Sequence, residues 1–107
     1  MDGFAFIPQG NGVALSASTS SNSIAMAKQC SAIVVTNRSA SNAWVTWSKT
    51  SAPTAVFPTP GDTTGTFGIE VVAGSQVSIA VNGANAFVAA ILLTGTGVIS
   101  IVPGDGV

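Results

Sequence analysis

The side chains able to perform acid–base or nucleophilic chemistry are few in this sequence and stand far apart. The chain contains no histidine and no tyrosine, and Cys30 is its only cysteine. A cysteine nucleophile needs a neighbouring base, and histidine, the most common general base, is absent. Asp62 and Glu70 could approach one another, but isolated carboxylates of this kind are usually solvated surface groups. We therefore expect no catalytic residues and no enzymatic activity.

Metal and cofactor sites are also hard to assemble from these residues. Zinc and calcium sites need clusters of cysteine, histidine or carboxylate ligands, and the sequence has no such cluster. A calcium ion held by Asp62 with carbonyl and threonine oxygens is an alternative that stays open. The segment Gly95-Thr96-Gly97 precedes a strand-like segment and lacks lysine, whereas a phosphate-binding loop precedes a helix and carries one. We expect no metal and no cofactor.

Charged residues make up 7% of the chain, against about 25% in an average protein. With three cations and a net charge of −1, the protein can displace few counterions from phosphates, so we expect no nucleic-acid partner. Serine, threonine, asparagine and glycine supply most of the polar surface. Such weak repulsion between copies favours a surface that is covered in an assembly over a monomer kept soluble by hydroxyls and amides.

Neither an export signal nor a membrane segment is visible. The N-terminal MDGFAFIPQG lacks the basic region and the apolar core of a signal peptide. The longest apolar run, at residues 86–93, has eight residues, far fewer than the roughly 20 that a membrane helix needs. We expect no membrane partner.

Short apolar segments separated by turn residues recur along the chain, a spacing typical of antiparallel strands in a sandwich or barrel. No stretch has a convincing helical period. We expect a single all-β domain over residues 1–107: an antiparallel β-sandwich, either an eight-stranded jelly roll or a related Greek key. The predicted strands are residues 4–7, 13–17, 24–27, 32–36, 43–48, 69–72, 76–81, 86–93 and 98–102.

Local turn signals predict two hairpins. Residues 32–36 and 43–48 form the best candidate, although their connection exceeds the two-residue optimum. Asn82-Gly83 is the strongest two-residue signal and would join 76–81 to 86–93. Because the last of these segments is apolar on both faces, we expect a central strand that is covered on each side.

Residues 50–68 contain three of the five prolines and many threonines and glycines. Proline removes donors from a sheet, so we expect a long ordered loop with at most one edge strand, at residues 54–57, and such loops are commonly binding elements. Trp44 and Trp47 point to opposite faces of a strand because their spacing is odd. One should pack in the core, and the other should anchor an interface or be covered by the loop. Phe57 and Phe67 should attach the loop to the sandwich or project towards a partner; these four aromatic residues are the candidate interface.

Several motifs follow one another in a distinctive order. VALSAS at 13–18 is followed by a Ser/Thr stretch, by SAIVVTNRSASNAWVTW at 31–47 and by GIEVVAGSQVSIAV at 68–81. The most specific motif is a TGTG turn, one strand and Pro-Gly-Asp-Gly-Val at 103–107. This pattern resembles a class of small virion proteins of tailed bacteriophages. Members of that class are similar to small jelly-roll decoration or cement proteins, which sit on capsids, often as trimers.

The resemblance implies a capsid decoration or cement protein that binds and stabilises the assembled shell. Its partners would be the major capsid protein or other virion proteins, and copies of itself in a homotrimer. It would be assembled in the host cytoplasm and lie on the outer surface of the capsid. The alternative is a fibre, spike or tail domain that binds host-surface glycans through Trp44 or Trp47.

Overall fold

The computed structural model describes residues 7–8, 10–49, 51–61, 63 and 65–105. Most of the predicted strand at 4–7, as well as Asp62 and the side chain of Cys30, lie outside this description. The described ranges contain no helix able to cross a membrane. The regular elements in them are the strands β1 (Ile7–Pro8), β2 (Val13–Ala17), β3 (Asn22–Asn37), β4 (Ala43–Ser48), β5 (Ile69–Val71), β6 (Gln76–Leu92) and β7 (Gly97–Asp105).

The strands form two antiparallel four-stranded sheets, because the long strands β3 and β6 each contribute one half to either sheet. Sheet 1 has the order β2–β7–β3–β6 and contains residues 32–37 of β3 and 76–80 of β6. Sheet 2 has the order β3–β6–β4–β5 and contains residues 22–25 of β3 and 87–92 of β6. The short β1 pairs with the end of β7.

The eight strand segments of the two sheets pair in a nested order. The first pairs with the eighth, the second with the seventh, the third with the sixth and the fourth with the fifth. This is the order of one long hairpin wound over on itself, as in a jelly roll. The predicted antiparallel β-sandwich is therefore confirmed.

The hairpin predicted at Asn82-Gly83 is wrong. β6 is one continuous strand of 17 residues that passes through these positions. Its register against β3 shifts on either side of Cys30, where both strands pass from one sheet to the other. Glycine in a strand marks bends and bulges as well as turns, and the local sequence does not distinguish them.

The hairpin predicted between residues 32–36 and 43–48 is also wrong. The second half of β3 pairs with β6 and β7, whereas β4 pairs with β5 and β6. The connection between them carries the chain from sheet 1 to sheet 2. Ile33 and Val35 thereby reach the middle of sheet 1 and become fully buried. This long-range burial outweighs the local turn preference, since each such side chain contributes about 1.5–3 kcal/mol.

The hydrophobic core lies between the two sheets and is built from alternate side chains of their strands. The predicted central strand is confirmed, because residues 87–92 lie between β3 and β4. Val88, Ala89 and Ala90 on this strand are all fully buried, so both of its faces are covered.

Asn37 is a fully buried polar residue at the end of β3. Its side-chain nitrogen donates to the carbonyl oxygens of Ser41, at 2.8 Å, and Val71, at 2.9 Å. Its side-chain oxygen accepts from the backbone N–H of Ser39, at 3.0 Å, and from the Ser39 hydroxyl, at 2.7 Å. The amide is therefore fully paired, and it links the end of β3 in sheet 1 to β5 in sheet 2.

Candidate protein-binding surface

Trp44 and Trp47 lie on opposite faces of β4, as their odd spacing predicts. Trp47 shares its face with Ala43 and Val45 and packs against the hydrophobic core. Trp44 occupies an outward position of sheet 2, yet it is only partly exposed. Something other than the core must therefore cover Trp44.

The loop that follows β4 covers Trp44. The indole Nε1–H donates a hydrogen bond of 2.9 Å to the carbonyl oxygen of Thr66. The indole ring also contacts the ring of Phe57, with 6.1 Å between centroids and a tilt of 52°, a favourable arrangement for two aromatic rings. Phe57 is itself partly buried. Of the two roles that the sequence leaves open, these contacts assign Trp44 and Phe57 to attachment of the loop.

Phe67 combines a contact inside the protein with a largely exposed ring. It meets Trp47 nearly edge-on, with 5.1 Å between ring centroids and an interplanar angle of 74°. Gly68 follows it so close to the carbonyl oxygen of Val45 that a β-carbon would collide there. Even so, 72% of the surface of Phe67 is exposed. The ring is thus held against the sandwich and still available to a partner.

The described residues between β4 and β5 contain no strand, but their backbone is fixed by contacts within the loop. The Thr66 N–H donates to the Val56 carbonyl at 3.1 Å, and the Val56 N–H donates to the Thr66 hydroxyl at 2.9 Å. Pro58 packs so tightly on Gly65 that a β-carbon at position 65 would lie 2.8 Å from the proline backbone. The two arms of the loop therefore hold each other in place.

The loop also lies across the outer face of sheet 2. The Ala55 N–H donates to the hydroxyl of Ser21 at 2.8 Å, so the loop reaches from β4 to the start of β3. Thr46 and Ala89 oppose one another on β4 and β6, and both are buried although neither belongs to the core cluster. Ala55 is only 1% exposed. The sequence did not predict this second buried layer on the outer face of sheet 2. Its one local signal is that small residues, Thr46 and Ala89, occupy outward positions of the strands.

Four large apolar side chains are strongly exposed among the described residues: Phe67 (72%), Val72 (57%), Leu93 (54%) and Val56 (41%). Two lie in the loop, and the other two directly follow β5 and β6. Val72 and Leu93 flank Asn42, whose carbonyl accepts from the Leu93 N–H at 3.1 Å. Phe67 and Val56, on the two bonded arms of the loop, form what we call the apolar patch, and Val72 and Leu93 are a separate pair at the start of β4. The sequence identified Phe67 alone, because the other three continue strand-like or Pro-rich segments.

The outer face of sheet 1 has no charged residue among its described strand positions, but the guanidinium of Arg38, just after β3, reaches this face and donates to the Ser100 hydroxyl at 3.4 Å. At the start of β6, on the edge of this sheet, the amide of Gln76 donates to the hydroxyl of Thr36 at 2.7 Å. Burying charge is costly, so a protein that covers this face must pair the charge of Arg38 or leave it in water at the rim. Its outward residues are Ala14, Ser16, Ala32, Val34, Thr36, Gln76, Ser78, Ala80, Val98, Ser100 and Val102.

In the part of the chain that the structure describes, there is no ligand-sized cavity. The same ranges hold no group of three His, Cys, Asp or Glu residues that could bind a metal ion. Asp62, on which the calcium alternative depends, lies outside them. The charged residues Arg38, Lys49 and Glu70 are exposed, and Glu70 accepts a hydrogen bond of 2.9 Å from the amide of Asn42.

No protein-family model, curated protein or solved structure matches this chain. The apolar patch with its ordered loop is therefore the main candidate for a binding surface.

Proposed function

We propose that this protein binds the surface of an assembled protein shell and stabilises it by contact, as a capsid decoration or cement protein of a tailed bacteriophage. The observation that carries the contact role is the apolar patch, which projects Phe67 and Val56 from a loop held by its own bonds. The assignment to a bacteriophage rests on the sequence resemblance. The partners would be the major capsid protein or other virion proteins on the outer surface of the shell.

The order of the loop supports tight docking. Its two arms are joined at Val56 and Thr66, and Trp44 fixes the loop to β4. A loop that is already ordered loses less conformational entropy on binding than a mobile one. Phe67 then acts as an aromatic anchor, the residue class that often dominates the binding energy of an interface.

The low charge supports burial of a large part of the surface in an array. Charged residues make up 7% of the chain, so few charges must be desolvated when a neighbour covers the protein. On a symmetric shell, a linked set of copies also binds by avidity, which multiplies weak contacts. Self-association belongs to this proposal, and the resemblance implies a trimer.

The alternative, a glycan-binding fibre, spike or tail domain, needs an open tryptophan ring. Trp44 and Trp47 are both partly buried, with Phe57 and Phe67 against their rings. The Trp44 N–H, which a sugar hydroxyl would otherwise accept, already donates to Thr66. These contacts favour shell binding through Phe67 over stacking of a sugar on tryptophan.

The test is co-sedimentation of the purified protein with particles from which it has been removed. We expect Phe67→Ser to weaken binding at least tenfold, which corresponds to about 1.4 kcal/mol per site. Ala14→Ser, on the exposed face of sheet 1, is the matched control and should bind like the parent. Added parent protein should also raise the temperature at which the shells open.

Two results would contradict the proposal. Stripped particles that keep their shell stability but lose adsorption to host cells would favour the glycan-binding alternative. Equal binding of the Phe67→Ser variant and the parent would exclude the apolar patch as the contact.

A further inference from the structure

Among the strands that the structure describes, the first half of β6 forms an open edge of sheet 1. Residues 76–80 pair with β3 on one side, and no other described strand pairs with them on the opposite side. Folded proteins usually protect such an edge with charged residues, proline or a bulge. The segment QVSIAV at 76–81 contains no charge and no proline, and its register against β3 is regular over residues 76–80.

The end of β3 reveals which way its backbone groups point. The backbone N–H of Asn37 donates to the carbonyl of Ser75, and the backbone carbonyl of Asn37 accepts from the N–H of Gly74. The backbone groups of Asn37 therefore point towards β6. The backbone N–H of Arg38 donates to the carbonyl of Val98, so the backbone groups of Arg38 point towards β7. This direction alternates along an antiparallel strand. The odd-numbered residues in the second half of β3 therefore bond to β6.

The register of β3 against β6 shows which residues of β6 form hydrogen bonds to β3. Val35 and Ile33 lie opposite Val77 and Ile79, which makes these the hydrogen-bonded pairs. The residues that alternate with them direct their N–H and C=O groups away from β3, at the open edge. The residues whose backbone N–H and C=O groups point to the open edge are Gln76, Ser78 and Ala80.

The core is also incompletely closed at this edge. Val77 and Ile79 pack against the core cluster but stay partly exposed. On the neighbouring strand, Ile33 and Val35 are fully buried. One further strand beside β6 would cover the exposed sides of Val77 and Ile79 and pair the outward backbone groups.

The opposite edge of sheet 1, at β2, is capped by the protein itself. The side-chain nitrogen of Asn22 donates to the carbonyl oxygen of Ser16 at 2.8 Å. The carbonyl of Ser18, just beyond β2, accepts from the Leu92 N–H at 2.8 Å. These bonds occupy groups that an incoming strand would need. A head-to-tail contact of β6 with β2 of another copy is therefore disfavoured.

We infer that two copies of this chain pair antiparallel through residues 76–81 of β6, about a two-fold axis. Such an axis brings the same open edge from both copies together, and each strand then completes the hydrogen bonds of the other. Since the segment is uncharged, no like charges meet across the axis. The pairing does not depend on shell binding, and it gives a dimer in place of the trimer that the resemblance implies.

Sedimentation velocity over a range of concentrations tests the pairing. We expect the parent to sediment as a dimer that dissociates on dilution. Ser78→Pro removes one outward N–H while keeping the bonds to β3, and Ser78→Lys places like charges at the edge; each should raise the dissociation constant at least tenfold. Ala14→Lys, on β2 at the capped edge, is the matched control and should dimerise like the parent.

Amide hydrogen exchange of the parent, followed by NMR, keeps the test independent of whether a variant folds. The N–H groups of Ser78 and Ala80 should exchange slowly at high concentration and quickly after dilution. Those of Val77 and Ile79 should exchange slowly in both cases, because they bond to β3. A monomer at all concentrations, a trimer, or fast exchange of Ser78 at high concentration would overturn the inference.

Discussion

The indole N–H of Trp44 donates a hydrogen bond of 2.9 Å to the carbonyl oxygen of Thr66, which lies 22 residues further along the chain. Thr66 directly precedes Phe67, the most exposed member of the apolar patch. A strand residue in sheet 2 therefore holds the loop arm that carries the proposed anchor. Changes at Trp44 and at Phe67 should consequently have different effects on stability and on binding.

Trp44→Phe should destabilise the fold by about 0.5–1.5 kcal/mol, because it removes one hydrogen bond and keeps most of the ring. The loop should also become more sensitive to proteolysis. Urea denaturation and limited proteolysis measure the two effects. An unchanged free energy of unfolding would mean that the bond to Thr66 does not hold the loop.

Phe67→Ser should lower the free energy of unfolding by the contribution of the ring contact with Trp47. Any further loss should be less than about 0.5 kcal/mol, because the ring is mostly exposed. Its binding to particles should nevertheless be strongly reduced. Unfolding and co-sedimentation of the same preparation provide both values. A large loss of stability would identify Phe67 as a packing residue instead of an anchor.

Asn37→Ala should destabilise the protein by about 2–3 kcal/mol, because it leaves the buried carbonyl of Val71 and the buried N–H of Ser39 without this partner. Thermal and chemical unfolding measure the loss. Ser78→Ala, which changes an exposed side chain on β6, is a suitable control and should be close to neutral. Similar stability of the two variants would contradict a central role for Asn37.

Gly68→Ala should weaken the pairing of β4 with β5 and destabilise the protein by about 1–3 kcal/mol. The added β-carbon would collide with the carbonyl oxygen of Val45, and backbone there has little room to move. Gly12→Ala is the matched control, since its β-carbon would meet Val102 at an ordinary distance of 3.4 Å. If both substitutions are tolerated equally, β5 can shift away from β4 without cost.

The two hairpin errors have one physical origin. The turn signals at Asn82-Gly83 and at residues 37–42 are real local preferences. In the structure the first lies in a bend of β6 and the second in a connection between sheets. The turn-forming residues indicated only that the chain changes direction at these positions. Which strands pair was decided by contacts between residues far apart in the sequence.

The arrangement of the aromatic residues proposed as an interface was predicted in part. Trp44, Trp47, Phe57 and Phe67 do come together in two aromatic pairs. Val72 and Leu93 escaped prediction because their exposure depends on where β5 and β6 end. The burial of Thr46 and Ala89 escaped it because it depends on the path of the loop, which bonds to Ser21 at the other edge of sheet 2.

By itself the sequence determined the all-β class, the central strand, predicted at 86–93, and the opposite directions of Trp44 and Trp47. These features depend on residue alternation and composition within a few positions, which are local properties. The tertiary structure alone decided which strands pair, which tryptophan the loop covers and which edge of sheet 1 stays open. Those outcomes depend on the apolar area buried and the hydrogen bonds completed by the whole chain, so no single segment of the sequence contains them.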